Sequence, residues 1–300
     1  MKSMFDVVII GGSYSGLSAA LALGRSLRNV LIIDGNSPCN KQTPHSHNFL
    51  THDGATPKSI SDIGKSQVLA YESVDFVEDF VTKAIKTDNT FKIRTASKKT
   101  FFSKKIIIAT GIKDIMPSIK GFSECWGKSV VHCPYCHGYE IKGKKTGLIA
   151  NADIALHLAP LISNLTSKLD ILTMGKPKFE SDAILKFKNN NISIIEKPIV
   201  EIEHQQGVVT NVVFDDQTKM DYEALYAPLP FEQHSSVPEQ LGCKLNELGY
   251  IEVDMFNKTT VDGVFACGDN SSRMRSVANA VASGNLAGAV VNMELSQELF

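Results

Sequence analysis

The sequence predicts an α/β protein built from two Rossmann-like, three-layer dinucleotide-binding domains. Two observations lead to this fold class. A strand, a glycine-rich loop, a helix and a second strand follow one another from Phe5, and a similar pattern starts near Thr146. Strands that alternate with helices are typical of parallel sheets covered by helices. At 300 residues the chain is long for one hydrophobic core, so two domains are expected.

The composition narrows the classes of function. Hydrophobic residues make up 43% of the chain, enough to build two cores. The 31 basic and 32 acidic residues nearly cancel, so the charge gives no reason to expect nucleic acid or an anionic membrane as a partner. No stretch approaches the roughly eighteen apolar residues of a membrane span. The apolar run at Phe5 is short and leads into glycines, so we expect no export signal and a cytoplasmic location.

The first pattern begins with the apolar run FDVVII, which is typical of a buried parallel strand. Residues 11–16 (GGSYSG) follow, and then small and apolar residues recur at helical spacing over 17–27. The next strand, residues 29–34, ends in an acid, Asp34. Strand, loop, helix, strand and acid therefore stand in the order of a dinucleotide-binding unit.

The residue types in this loop suit a bound pyrophosphate, which needs backbone N–H groups at a helix N-terminus. Gly11 permits the tight turn, and Gly16 lets the helix lie close to the strand. Ser13 stands where the usual pattern has its middle glycine, and its small side chain is a tolerable replacement. Asp34 would accept hydrogen bonds from ribose hydroxyls. The alternative is a glycine-rich turn without a ligand, but the order of the elements favours a dinucleotide site.

The rest of the chain continues the α/β pattern. A buried strand from Lys105 ends at Gly111, and residues 112–121 are expected to cross between the domains. The second βαβ pattern comprises GLIA, a helix over 152–165 and a strand from Leu169. The remaining predicted elements are short alternating strands between 192 and 226, a strand that starts at Val264, and a long helix of small residues over 276–293.

Two cysteines stand two residues apart in the stretch HCPYCHGYE, residues 132–140. The six cysteines of the chain are scattered and form no disulfide framework, so this CxxC is expected to be redox-active or metal-binding. A helix start lowers the pKa of the first thiol, and Pro134 suits a helix that begins there. A structural zinc site would need four ligands, and this stretch offers Cys133, Cys136 and a flanking histidine. Two reduced structural thiols are the third interpretation.

Four motifs, spread over nearly the whole chain, resemble the FAD-dependent pyridine nucleotide–disulfide oxidoreductases of the thioredoxin reductase-like branch. They are residues 11–16, residues 108–111 (IATG), Cys133 with Cys136, and residues 265–269 (FACGD). The resemblance implies that the second domain is inserted into the first. An FAD-binding domain would comprise residues 1–113 and 243–300, and an NAD(P)-binding-like domain, residues 118–240, would carry the CxxC. A homodimer is implied as well, with the helix over 276–293 near its contact.

The resemblance implies FAD as the cofactor and assigns residues to it. The set comprises Gly11, Gly12, Ser13, Gly16, Asp34, Thr110, Gly111, Gly268 and Asp269. The stretch HNFLTHDG, residues 47–54, resembles a segment that runs along the flavin in relatives, which adds Asn48 and Thr51. The histidines His45, His47 and His52 are either solvated loop residues or part of the site. No metal is implied.

The resemblance also gives each sulfur a role. Cys133 would exchange with the substrate, and Cys136 would lie against the flavin. Thioredoxin reductases usually carry an aspartate after the second cysteine, whereas this chain has His137, which titrates nearer neutrality and would carry the proton. Redox chemistry is therefore the favoured interpretation of the pair. The form CPYCHG is similar to that of the gliotoxin and holomycin dithiol oxidases and also occurs in bacterial thioredoxin reductase-like proteins, so the direction of electron flow stays open.

The second nucleotide loop departs from the family pattern. Ala150 and Ala152 occupy its glycine positions. Alanine does not easily take a positive φ at the first position, and a Cβ at the second would stand where the backbone approaches the pyrophosphate. After the next strand, Lys176 and Lys178 replace the arginines expected for the 2′-phosphate of NADPH. The use of NAD(P)H is therefore left open.

These observations predict an FAD-dependent oxidoreductase that passes electrons between flavin, the Cys133–Cys136 pair and a thiol or disulfide substrate. The substrate would be a thioredoxin-like protein or a small dithiol or disulfide, with NAD(P)H, ferredoxin or another donor as the electron source. One alternative is an oxidase of small dithiols that reduces oxygen. An alternative of another class is a non-enzymatic, flavin-binding redox sensor, against which the acid–base residue beside the pair argues.

Overall fold

A computed structural model describes residues 4–300, and the chain forms two compact units. The first unit comprises the residues up to Lys41, Asn48–Lys113 and Phe231–Phe300. The second comprises Gln42–His47 and Asp114–Pro230. Within the described residues, no helix is both long and apolar enough to span a membrane.

The elements follow one another along the two units. The chain begins with β1 (Phe5–Ile10), α1 (Tyr14–Arg25), β2 (Val30–Asp34), α2 (Pro57–Leu69), β3 (Val74–Glu78), β4 (Val81–Thr87), β5 (Thr90–Thr95), β6 (Thr100–Ile108) and β7 (Ile112–Asp114). It continues with α3 (Phe122–Cys125), β8 (Val130–Val131), α4 (Pro134–His137), β9 (Thr146–Ile149), α5 (Ala152–Ser163), β10 (Leu169–Leu172), α6 (Ser181–Asn189), β11 (Ser193–Ile195), β12 (Ile199–Gln205), β13 (Val208–Phe214), β14 (Lys219–Asp221) and β15 (Ala224–Tyr226). It ends with β16 (Phe231–Gln233), α7 (Val237–Leu241), β17 (Val264–Ala266) and α8 (Val277–Gln297).

The main sheet of the first unit has the strand order β3-β2-β1-β6-β5-β4. Strands β1, β2, β3 and β6 are parallel, whereas β4 and β5 extend the sheet in antiparallel fashion. Strand β17 pairs in parallel with the last residues of β6, so that Ala266 lies opposite Ile108. The carboxyl ends of β1, β2, β6 and β17 therefore lie along one edge, which is where ligands bind in open α/β sheets.

Hydrophobic clusters cover both faces of this sheet. On one face, α1 and α8 pack against the strands through buried residues such as Leu23, Ile32 and Val291. On the other face, Ile33 and Ile108 join a second cluster that includes side chains of β5 and of the segment after α7. The run FDVVII forms β1 because a strand buried on both faces requires apolar side chains at almost every position.

The second unit has a five-stranded parallel sheet of order β11-β10-β9-β15-β8. Helices α5 and α6 cover one face through residues that include Ile162 and Phe187. The antiparallel sheet β12-β13-β14 covers the other face through Ile202 and Phe214. Helices, parallel sheet and antiparallel strands make three layers, and the predicted fold class of two Rossmann-like α/β domains is confirmed.

The ends of some elements differ from the prediction. The helix predicted over 276–293 runs over Val277–Gln297, after Ser276, whose side chain accepts the Asn279 N–H at 3.1 Å. The first unit resumes at Phe231, the first residue of β16, which pairs with β7 in a two-stranded sheet.

Candidate active site

The loop between β1 and α1 requires glycine at two positions. Gly11 has a φ of 104°, and a Cβ built on it would lie 2.2 Å from the Ala109 carbonyl oxygen. A Cβ on Gly16 would lie 1.9 Å from the Gly11 carbonyl oxygen. Both glycines are therefore needed for the close approach of α1 to the strand ends, for the reasons that the sequence suggested.

Asp34 lies at the end of β2, directly beside this loop. Its Oδ1 accepts the Gly12 N–H at 2.8 Å, and its Oδ2 accepts the Asn36 N–H at 3.1 Å. A carboxylate has about four acceptor positions, so two remain for the hydroxyls of a ribose. Ser13 precedes α1 without capping any of its N–H groups through its hydroxyl, within the residues described. A glycine cradle with an acceptor at its rim fits the adenosine diphosphate part of FAD.

The ends of β6 and β17 bring further predicted cofactor residues to the same sheet edge. Thr110 and Gly111 follow β6, and Gly268 and Asp269 follow β17. Gly111 and Gly268 have φ of 65° and 86°, in the left-handed region that favours glycine. Asp269 lies 4.0 Å from the Arg275 guanidinium, and both side chains are mostly buried.

Asn270 is a site residue that the sequence interpretation missed. It is fully buried, and its Nδ2 donates to the Ile108 carbonyl oxygen at 2.9 Å and to Thr110 Oγ1 at 3.5 Å. It therefore fastens the end of β17 to the end of β6 and holds Thr110 and Asp269 at one edge. Its position directly after the Gly-Asp motif is the signal by which it could have been found.

Helix α8 contributes to the site by packing very closely on α1. A Cβ on Gly284 would lie 2.1 Å from the Ser15 carbonyl oxygen, and one on Gly288 would lie 2.6 Å from the Ala19 carbonyl oxygen. Ser18 Oγ also donates to the Val281 carbonyl oxygen at 2.7 Å. These small residues of α8 therefore serve contacts inside the first unit.

Asn48 and Thr51 lie between β2 and α2 rather than at a strand end. Both adopt a positive φ, 58° and 75° respectively, and both are exposed. The Asn48 N–H donates to Asp53 Oδ1 at 2.7 Å, and Thr51 Oγ1 lies 2.9 Å from His52 Nδ1. The structure shows a tight polar turn here, and the contact of these two residues with a flavin stays a prediction.

Cys133 and Cys136 form a disulfide at the start of the short helix α4. Their Cα atoms are 5.3 Å apart. Cys133 caps the helix, because its sulfur accepts the Cys136 N–H at 3.1 Å, and Pro134 occupies the first helical position. The helix start that the sequence predicted is confirmed. The paired sulfurs fit the redox interpretation better than two reduced thiols or zinc ligands.

His137 is half-buried in the same helical turn. Burial lowers the pKa of His137, the positive potential of His47 lowers it further, and the negative charge of Glu140 opposes both. His47 Nε2 lies 3.5 Å from Glu140 Oε1. At neutral pH the imidazole of His137 is therefore mainly neutral and able to accept a proton.

His47 and Glu140 are electrostatic neighbours of His137. The sequence left His47 open between a solvated loop residue and a site residue, and it did not assign Glu140. His47 lies in the segment Gln42–His47, which belongs to the second unit although it is remote from the CxxC in sequence. Glu140 lies in the stretch HCPYCHGYE, three residues after His137. That helical spacing is a signal that could have found Glu140.

Tyr226, at the end of β15, lies against the residue that follows α4. A Cβ on Gly138 would lie 3.1 Å from the Tyr226 hydroxyl and 2.2 Å from the Pro134 carbonyl oxygen. The hydroxyl is buried and has no hydrogen-bond partner among residues 4–300. Burial, together with the charge of Glu140, raises the pKa of Tyr226. A side chain at Gly138 would clash mainly with the Pro134 carbonyl oxygen and with Leu165 Cδ1, which lies 2.4 Å from the added Cβ, and the Tyr226 hydroxyl crowds the position further.

The other cysteines differ from the pair in their surroundings. Cys125, Cys243 and Cys267 are buried, and Cys39 is exposed. Burial raises the pKa of all three buried thiols, that of Cys267 to about 12. Buried thiols with raised pKa values are poor nucleophiles, so these three cysteines are not candidates for the redox chemistry.

The loop between β9 and α5 differs from the prediction in one respect. The left-handed conformation falls on Ala152, with a φ of 53°, and not on Ala150. The Ala150 N–H instead donates to the Leu148 carbonyl oxygen at 3.0 Å and closes a tight turn. An L-residue adopts the left-handed region only at an energetic cost, so other contacts must hold Ala152 in place.

Comparison with known proteins identifies the family of the chain. The family model for pyridine nucleotide-disulphide oxidoreductases matches residues 5–284. The thioredoxin reductase sirT of Leptosphaeria maculans is 32% identical over 311 residues, which cover 97% of this chain and 94% of that protein. The thioredoxin reductase tcpT of Claviceps purpurea is 29% identical over 309 residues, with 99% and 96% covered.

A solved structure agrees with the sequence relatives. The crystal structure of the oxidoreductase from Agrobacterium tumefaciens matches with a TM-score of 0.92 at 34% identity, and covers 98% of this chain and 99% of its own. The resemblance that the four motifs carry is thus confirmed. The chain belongs to the pyridine nucleotide-disulphide oxidoreductase family, and it is a flavin-dependent disulfide oxidoreductase of the thioredoxin reductase-like kind.

Proposed function

We propose that this chain moves two electrons between bound FAD and a thiol or disulfide substrate through the Cys133–Cys136 pair. The observation that carries the proposal is the disulfide at the start of α4 with His137 in the same helical turn. A disulfide, a proton acceptor and a cofactor of two-electron chemistry are the components that dithiol–disulfide exchange requires.

The exchange balances in either direction. For dithiol oxidation, a substrate thiolate attacks Cys133 Sγ, and the bond to Cys136 breaks as Cys136 leaves as a thiolate. The second substrate thiol then attacks the substrate sulfur of the mixed disulfide, and Cys133 leaves. The substrate loses two electrons and two protons and becomes a disulfide, while the pair becomes a dithiol. The same steps in reverse reduce a substrate disulfide.

His137 would carry the proton in these steps. Thiols have an unperturbed pKa of about 8.5, so at neutral pH the attacking substrate sulfur must lose a proton. A histidine whose pKa is lowered by burial is neutral and accepts it. Cys133 is stabilised as a thiolate in the reduced pair, because its sulfur already accepts the Cys136 N–H.

FAD, when bound, supplies the two-electron acceptor or donor that regenerates the pair. The loop with Gly11 and Gly16 would admit the pyrophosphate, and Asp34 would accept from the ribose. Residues that follow β6 and β17 would line the remainder of the cofactor. Asn270 holds those two strand ends together.

The substrate would meet the pair on a surface with exposed aromatic groups. Tyr135 lies between the two cysteines and is 69% exposed, and Tyr139 is 71% exposed. Tyrosines present apolar area together with a hydroxyl, which suits a small cyclic dithiol as well as the flat surface of a thioredoxin-like protein. We propose substrates of these two classes.

Oxidation of a dithiol is the second form of the proposal, and the loop of Ala150 and Ala152 favours it. A reductase needs an electron donor for its flavin, and this loop lacks the glycines of an NAD(P)H site. A dithiol oxidase receives its electrons from the substrate and needs no such site, with oxygen as the final acceptor.

The test of the proposal begins with the cofactor. The purified protein should be yellow and release close to one equivalent of FAD on denaturation, and the released flavin should rebind. A colourless protein that FAD cannot reconstitute would overturn the proposal.

The charges around His137 predict a shift in the pH dependence of dithiol oxidation. The rate should rise with pH through a midpoint below the usual histidine pKa of about 6.5, as neutral His137 forms. Glu140→Gln removes the charge that raises this pKa, so the midpoint should fall. His47→Asn removes a group that lowers it, so the midpoint should rise.

The pH profile of kcat/KM with dithiothreitol measures these midpoints. Glu196→Gln is the matched control, because it changes an exposed carboxylate of the second unit. Its midpoint should equal that of the unsubstituted protein. Identical midpoints in Glu140→Gln and His47→Asn would contradict the role of His137.

A further inference from the structure

Asn151 makes four hydrogen bonds at the point where a dinucleotide would enter the second unit. Its Oδ1 accepts the Ala152 N–H at 2.9 Å and the Lys178 N–H at 2.8 Å. Its Nδ2 donates to the carbonyl oxygens of Thr173 at 3.2 Å and Lys176 at 3.1 Å. A primary amide has two donor hydrogens and two acceptor lone pairs, so these bonds use its full capacity.

Asn151 engages both segments of the chain that a dinucleotide would contact. In a βαβ nucleotide site, the first N–H groups of the helix receive the pyrophosphate, and the segment after the second strand receives the ribose. Here the Ala152 N–H is the first of α5, and residues 173–178 follow β10. One side chain therefore joins both parts of the site to each other.

The segment after β10 is itself tightly folded. Thr173 Oγ1 lies 2.7 Å from the Gly175 carbonyl oxygen and 3.2 Å from the Ile195 carbonyl oxygen. Met174 adopts a φ of 56°. Ala152 is held in the left-handed region next to Asn151. The turn after β10 and the loop between β9 and α5 are thus linked to each other through Asn151.

We propose that Asn151 is a specificity-determining residue that closes the second nucleotide loop against NADH and NADPH. The inference rests on the proposed function, because it concerns the source of the electrons that reach the Cys133–Cys136 pair. The missing glycines explain why the loop is a poor site. The hydrogen bonds of Asn151 close the loop, because a phosphate could reach its N–H groups only by displacing the Asn151 amide, whose donors and acceptors are all in use.

Titration of NADH and NADPH against the FAD-loaded protein, followed by nicotinamide fluorescence, tests this inference. Binding to the unsubstituted protein should not saturate below about 1 mM. The double variant Asn151→Gly/Ala152→Gly should bind at least about tenfold more tightly, because it frees the N–H groups and lets the backbone approach the phosphates. Asn164→Gly, at the other end of α5, should leave binding unchanged.

Amide hydrogen exchange gives a readout that needs no nucleotide. The N–H groups of Ala152 and Lys178 should be protected in the unsubstituted protein and exchange at least about tenfold faster in Asn151→Gly. Submicromolar to micromolar nucleotide binding by the unsubstituted protein would overturn the inference. So would a folded double variant without improved binding, or an absence of protection at both amides.

The failure of this inference can be told apart from failure of the proposed function. Reduction of bound FAD by dithiothreitol does not depend on the second loop, so it should proceed at the same rate with and without the Asn151 substitution. The nucleotide titration therefore tests the inference on Asn151, whereas the reduction of bound FAD by dithiothreitol tests the function of the cysteine pair.

Discussion

Serine at either Cys133 or Cys136 is expected to reduce dithiol–disulfide turnover by at least about 1,000-fold. A serine hydroxyl forms no disulfide, so neither variant can accept two electrons from a dithiol substrate. The two sulfurs are bonded to each other in the structure, where Cys133 caps α4 and Cys136 lies within it. The oxidation of dithiothreitol by the FAD-loaded variants measures the loss.

The matched control for these variants is Cys39→Ser, which removes an exposed thiol of the first unit. It should retain the turnover and the FAD content of the unsubstituted protein. Full turnover by Cys133→Ser or by Cys136→Ser would exclude the pair as the route of the electrons. The FAD content of each cysteine variant must be measured as well. The cysteines belong to the second unit and the proposed cofactor loop to the first, so a loss of FAD would be an effect separate from the loss of the disulfide.

Alanine at Gly16 is expected to have the largest effect on cofactor binding. The new Cβ would lie 1.9 Å from the Gly11 carbonyl oxygen, and this neighbour is backbone of the same loop, so it cannot simply rotate away. The loop must shift, which should weaken FAD binding by about tenfold or more and lower the free energy of unfolding by about 2–3 kcal/mol. Equilibrium titration with FAD and urea unfolding of the apoprotein measure the two effects.

Gly64→Ala is the control for the glycine variant. Gly64 lies within α2, and the nearest atom to its added Cβ is Leu17 Cδ1 at 3.4 Å, an ordinary contact. Because alanine is the better helix former, this variant should be neutral or more stable by up to about 1 kcal/mol. Equal FAD affinity in Gly16→Ala and Gly64→Ala would show that the close approach at Gly16 does not shape the cofactor site.

The elements with strong local signals were predicted well from the sequence. β1, the glycine loop and β2 were recognised because apolar runs, glycines and Asp34 stand close together in the chain. In contrast, α2 was not predicted. Its thirteen residues bury only Pro57, Ile60 and Val68 deeply, so its apolar periodicity is weak. Strand β4 was missed for a related reason, since only Ala84 of its seven residues is buried. In contrast, β5 carries the alternation that is typical of a half-buried strand and could have been predicted.

The parts of the site that the sequence did not reveal depend on residues that are distant along the chain. His47 lies far from Glu140 in sequence, yet the two side chains are 3.5 Å apart. Tyr226 reaches Gly138 only because β15 pairs with β8. A single sequence shows which residue types are present, but spacing alone does not show which of them meet across a sheet.

The loop between β9 and α5 shows that the sequence also fails to reveal contacts between residues that lie closer together in the chain. The alanines at positions 150 and 152 signalled a defective nucleotide site from the sequence alone. The role of Asn151 was not visible, because two of its four partners are carbonyl groups in the turn after β10 and a third is the Lys178 N–H. Backbone groups carry no sequence signal of their own, so such a bond network appears only in the folded structure.

The central claim is that the Cys133–Cys136 pair connects a thiol substrate with bound FAD. Anaerobic stopped-flow mixing of the FAD-loaded protein with dithiothreitol, NADH or NADPH tests it most directly, with the flavin absorbance as the readout. The account predicts fast reduction of the flavin by dithiothreitol, loss of that reduction in Cys136→Ser, and no saturating reduction by either nucleotide below about 1 mM. Flavin that stays oxidised with dithiothreitol, but is reduced rapidly by NADPH in Cys136→Ser as well as in the unsubstituted protein, would contradict it.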